Sequence, residues 1–140
     1  MTGGGTSLRT LREFLRDERA AAARYRRALP QFSDRAETDE LNACLASHER
    51  RIQTLERRLR EFGADPDAEI TDQDLDLDAG QGAGGVMAVL EDGEDRALKH
   101  YLDDVCKLDA DTRRLIAREV LPEQVRTYDS VFELRLSHLH

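Results

Sequence analysis

The stretch LEDGEDRALKHY, residues 90–101, decides how the chain is read. Leu90, Ala97 and Tyr101 recur at helical spacing and define one apolar seam, and Glu94 falls on that same seam. A carboxylate aimed at a helix's own core needs a partner there, because an isolated buried charge is costly to desolvate. The figure occurs twice. In ERAAAARY, residues 18–25, Glu18 precedes Tyr25 by the same seven residues that separate Glu94 from Tyr101.

Outward from these two stretches, the apolar pattern predicts four amphipathic helices. In the first, Leu8, Leu11, Leu15, Glu18, Ala22, Tyr25 and Leu29 alternate in steps of three and four. Thr6 or Ser7 can cap it, and Pro30 ends it. Asp34 with Glu37 makes a capping pair for the second helix, and Gly63 its C-cap. Its inner stripe is Leu41, Cys44, Leu45, His48, Ile52, Leu55, Leu59 and Phe62. The third helix resumes near residues 83–86 and continues past Tyr101 to Val105. CKLDADT is a short turn with Asp109 or Asp111 as cap. The fourth helix covers about residues 111–136, with Leu115, Ile116, Val120, Glu123, Thr127, Val131 and Leu134 facing inward. Pro122 lies within it, so a kink is expected there.

None of the four helices can bury its stripe alone, so an all-α bundle is the expected architecture. Short turns join helices one and two, and helices three and four. Residues 63–82 form a long acidic, Gly-rich connection able to cross the bundle. Two antiparallel helical hairpins joined by one long crossover loop make the ferritin-like four-helix bundle arrangement. Residues 1–5 read as a flexible leader, 6–136 as the single bundle domain and 137–140 as a tail. DQDLDLD, residues 72–78, is not a calcium loop: the positions that need Gly and Glu hold Leu77 and Ala83.

Composition narrows the function. Of 140 residues 36% are charged and 5% aromatic, and the net charge of -8 argues against nucleic acid as a partner. Cys44 and Cys106 lie far apart with no metal-ligand spacing, which predicts free thiols. No signal peptide and no membrane span is expected, and the protein is read as cytoplasmic. Leu98 and Phe132 are candidate contributors to a homodimer interface.

Folding each predicted hairpin about its turn sets Glu18 level with His48 and Glu94 level with Glu123. The halves mirror each other further, with His48-x-x-Arg51 on helix two and Glu123-x-x-Arg126 on helix four. ERAAAARY and GEDRALKHY resemble the first and third helices of rubrerythrin-like, ferritin-like di-iron proteins. The closer resemblance is to a bacterial family of unknown function with a ferritin-like bundle. It rests on LASHERRIQTLERRLREFGADPD (45–67), LEDGEDRALKHYLDDV (90–105) and LIAREVLPEQVRTYDSV (115–131) and covers roughly residues 8–135.

The resemblance implies a ligand set, and this chain departs from it. Glu18, Glu94 and Glu123 match carboxylate positions, His48 stands at a Glu position, and Arg51 and Arg126 fill the two His positions. A guanidinium has no lone pair for a metal. The expectation is therefore a metal-free, buried ionic core of Glu18, His48, Arg51, Glu94, Glu123 and Arg126, flanked by Tyr25 and Tyr101, with no cofactor and no enzymatic activity. The alternative is a metal-dependent oxidase or peroxide-handling protein that binds Fe, Mn or Zn through Glu18, His48, Glu94 and Glu123. His100 and the tail SHLH are read as exposed.

Overall fold

The computed structural model describes residues 3–68 and 82–138 of the chain. Residues 69–81 lie outside that description, and with them most of the acidic crossover, DQDLDLD included; so does His140. The described residues are all-helical, with four helices and no strand. These are α1 (Gly3–Ala28), α2 (Arg35–Glu61), α3 (Gly82–Asp104) and α4, which runs from Ala110 to Ser137. None of them is long and apolar enough to cross a membrane.

Local chemistry sets the helix ends. α1 begins at Gly3, inside the segment read as a leader, so Ser7 lies within the helix and not at its cap. Ser7 is buried, and its hydroxyl accepts the Asp109 N–H at 2.7 Å. Pro30 stands in a 3-10 turn, Leu29–Gln31, that closes α1. The Asp34 carboxylate accepts the Glu37 N–H at 2.9 Å and caps α2. At the other end Gly63 takes φ +79°, the left-handed conformation that costs glycine little. The Ala64 N–H then reaches Leu59 O at 3.0 Å and the Gly63 N–H reaches Arg60 O at 2.8 Å, a Schellman closure. Of the two candidate caps for α4, Asp109 is the one that accepts the Thr112 N–H.

Inside α4, Ile116–Val120 form a π-helical turn directly before Pro122, where a kink was expected. The Leu121 N–H bonds Ile116 O, five residues back. Pro122 has no N–H to give, and its ring crowds the carbonyl four residues earlier. The wider turn accommodates that ring.

α1 packs chiefly on α2 and α3 chiefly on α4, with further contacts between α1 and α3 and between α2 and α4. The buried apolar residues fall into two clusters. One contains Leu11, Phe14, Leu15, Leu55, Leu59, Tyr101, Ile116 and Val120. The other contains Tyr25, Leu41, Cys44, Val86, Met87, Leu90 and Val131. On every helix buried polar residues lie between these two sets. Phe132 is exposed, as are Leu102, Val125 and Leu136, while Leu98 is half-buried. Both cysteines are free thiols, Cys44 buried and Cys106 exposed.

Candidate functional site

Each helix contributes to the polar layer from its inward face. Glu18 follows Leu11 and Leu15 on α1, and Glu94 follows Leu90 on α3. α2 gives Ser47, His48 and Arg51, and α4 gives Gln124 and Thr127. All are buried, with Arg51 and His48 1% exposed, Glu18 2% and Glu94 3%.

His48 lies between the two carboxylates. Its Nδ1 is 2.6 Å from Glu18 Oε1 and its Nε2 2.7 Å from Glu94 Oε2. A carboxylate only accepts, so both ring nitrogens must donate and the ring is an imidazolium. Burial pushes the His48 pKa down, but the charges of Glu18 and Glu94 outweigh it and raise the pKa above the ordinary value. Burial likewise pushes Glu94 up, but His48 and the donors around it hold its carboxyl down at about 2. Glu18 is lowered too, with His48 and Arg51 overcoming its burial.

The Arg51 side chain is spent entirely on this layer. Nη1 donates to Glu18 Oε2 at 3.2 Å and to Gln124 Oε1. Nη2 donates to Thr127 Oγ1 at 2.9 Å and to Ser47 Oγ at 3.3 Å, and Nε faces Ser47 O at 3.4 Å. Glu94 is saturated as an acceptor. Its Oε2 takes His48 and the Tyr25 hydroxyl at 2.5 Å, and its Oε1 takes the Thr127 hydroxyl at 2.7 Å and Gln124 Nε2 at 2.9 Å. The Tyr101 hydroxyl donates to Glu18 Oε2. Burial and the adjoining carboxylates raise both tyrosine pKa values well above the ordinary range. Among the described residues no buried side-chain polar atom lacks a partner. Two carboxylates face one imidazolium and one guanidinium, so the layer sums to zero, as buried charge requires.

Two of the residues expected in this layer lie elsewhere. Arg126 is 42% exposed, and Glu123 keeps 30% of its side chain in solvent. Glu123 sits at the rim, where Oε1 accepts from Ser47 Oγ at 2.7 Å, Arg50 at 3.0 Å and Arg126 at 2.7 Å. The Arg126 hydrogen bond, then that of Ser47, lowers its pKa to about 2. Gln124, one residue on from Glu123, takes the inward position, beside Thr127, which was expected there. The buried stripe of α4 runs Thr112, Ile116, Val120, Gln124, Thr127 and Val131. Three successive steps of four would drift off one face of a regular α-helix. The wider turn at Ile116–Val120 keeps them aligned. Ser47 and Gln124 were missed because neutral polar residues carry no signal of burial; the one sequence signal for the offset was Pro122.

A di-metal centre, which the resemblance implies, needs free carboxylate and imidazole lone pairs. Glu94 already accepts from four donors, the Arg51 guanidinium lies 3.2 Å from Glu18 with no lone pair to offer, and these groups are at most 3% exposed. This donor set does not fit two divalent cations. The void beside Tyr25, His48, Leu90 and Glu94 is about 10 Å³, room for roughly one water.

No family model matches the chain, and neither the curated proteins nor the solved structures yield a match.

Proposed function

We propose that this chain is a ferritin-like bundle in which an ionic Glu/His/Arg layer stands in place of a di-metal centre, and that it serves as a structural or interaction protein and not as an enzyme. The ferritin-like reading needs two antiparallel hairpins, and the pairings support it. Moving up α1, Arg12 meets Asp65 O, Arg19 meets Glu56 and Arg26 meets Glu49, a falling series. On the second pair Glu94 meets Thr127 and Glu91 meets Arg135.

The observation that carries the functional reading is the position of Arg51. Its guanidinium fills the space between Glu18, Gln124 and Thr127, where a catalytic metal would need open coordination positions. The neighbouring void is too small for a substrate.

The test is metal incorporation by the protein purified without a His tag. After incubation with Fe(II) or Mn(II) under anaerobic conditions and desalting, neither metal should occupy the Glu18–His48–Glu94 cluster. Anomalous scattering at the Fe or Mn edge within the Glu18–His48–Glu94 cluster would overturn the proposal.

A further inference from the structure

A second group of ligating side chains lies on the outer face where α1 meets α3, apart from the buried layer. Glu13 and Asp17 are one turn apart on α1, and His100 and Asp104 one turn apart on α3. Asp17 Oδ2 lies 2.5 Å from His100 Nδ1. On the other side of the ring, Nε2 lies 3.0 Å from Asp104 Oδ2 and 3.6 Å from Glu13 Oε1. These three ligand atoms are all within 4.8 Å of one another. The Phe14 ring meets the imidazole edge-on at 5.0 Å and holds its plane.

We propose that Glu13, His100 and Asp104 bind one zinc-type divalent cation, with Asp17 as the positioning residue that orients the imidazole. Zinc bonds of about 2.0–2.1 Å to N and O place tetrahedral ligands about 3.3 Å apart. The distances from Nε2 bracket that edge. A carboxylate on the non-ligating nitrogen is the usual companion of a metal-bound His, because it fixes Nδ1–H and aims the Nε2 lone pair at the ion. Asp17 is already in that place. The side chains are accessible to an incoming ion, at 25% exposure for His100, 35% for Glu13 and 17% for Asp104, and solvent supplies the fourth ligand.

Charge favours the same assignment. Lys107 Nζ pairs with Asp104 Oδ1 at 3.2 Å and leaves Oδ2 for the ion. With Nε2 deprotonated, as a metal ligand must be, three carboxylates and Lys107 leave two negative charges, which a divalent cation cancels. On binding, the cation replaces the Nε2 proton, and one proton leaves to solvent. An imidazole with two carboxylates suits zinc and its transition-metal neighbours better than Mg²⁺ or Ca²⁺, which prefer all-oxygen sites. A bound ion would tie α1 to α3.

The experiment is titration of the full chain with ZnCl₂ against a chromogenic chelator, with His138→Gln and His140→Gln in every variant so that the tail cannot contribute. One zinc per chain is expected, with Mg²⁺ unable to compete. His100→Gln and Asp104→Asn should each weaken binding at least about tenfold, and Asp17→Asn about 10–100-fold. Asp103→Asn, on an exposed neighbour, should leave it unchanged. Substitution by Co²⁺ should give a visible ligand-field band in the unmutated site, a readout that does not depend on variant folding. No zinc binding, or binding indifferent to His100→Gln, overturns the proposal. Zinc lost in Glu18→Gln but kept in His100→Gln would place the ion in the buried layer and refute the ionic-core reading as well.

Discussion

Glu94→Gln tests the buried layer most directly, because it removes one charge and almost no volume. In the folded protein Glu94 accepts from four donors: His48, Tyr25, Gln124 and Thr127. An amide offers one accepting oxygen, so its NH₂ must face two of those donors whichever way it is turned. The layer also loses neutrality, leaving His48 and Arg51 against Glu18 alone. Holding the Glu94 carboxyl at about 2 rather than 4.5 corresponds to about 3 kcal/mol of stability at neutral pH. Breaking a buried pair from one side costs about 3–5 kcal/mol in general. The two figures agree, and they predict a fall in melting temperature of about 10–20 °C for a chain of this size. Urea unfolding at pH 7 is the assay. Glu123→Gln, at the half-exposed rim, should cost no more than about 1 kcal/mol. The double variant His48→Gln with Glu94→Gln restores neutrality and should cost less than the sum of the two singles, with coupling of about 0.5–3 kcal/mol. A Glu94→Gln protein within about 0.5 kcal/mol of the wild type, inside the range of surface substitutions, would refute the reasoning, since Glu94 would then not be a charged member of the layer.

The same groups set a pH window. Glu94 and Glu18 are lowered in the folded state, so their contribution is complete above about 4.5 and is lost as pH falls through their folded values, about 2 for Glu94. His48 is raised, so its contribution is complete below 6.5 and fades as pH climbs through its folded value. The stability difference between wild type and His48→Gln should therefore be largest between about pH 4.5 and 6.5; a difference that grows steadily from pH 6.5 to 9 would contradict this. Thiol reactivity offers an independent check on packing. Cys106 is exposed and should react with a disulfide reagent in the native protein. Cys44 is buried and burial, with Glu94 and Glu40, pushes its thiol up to about 12; it should react only at the rate of unfolding. Two fast thiols in the native state would mean that the Cys44 side of the core is open.

The sequence by itself determined the elements. Four apolar stripes at helical spacing, Asp34 before α2, Gly63 after it and Pro30 after α1 are local signals, because capping and turn chemistry act over a few residues. It also marked Glu18, His48 and Glu94 as polar residues on apolar faces, since helical period places them there whatever they touch; Arg51 joined them only through the resemblance. Tertiary structure decided which donor meets which acceptor and where α4 stands in rotation. A strict 3.6-residue period put Glu123 inside and the resemblance added Arg126; with the π turn before Pro122, Gln124 takes the inward position beside Thr127, which the period had already placed there. The same holds for Glu13, Asp17, His100 and Asp104. Each is an ordinary polar residue in its own helix, and only the packing of α1 against α3 sets the ligating atoms of Glu13, His100 and Asp104 around one point, with Asp17 behind the imidazole. Periodicity fixes a residue's direction from its own axis; the distance between two axes, and a half-turn of offset along either, belongs to the packed molecule.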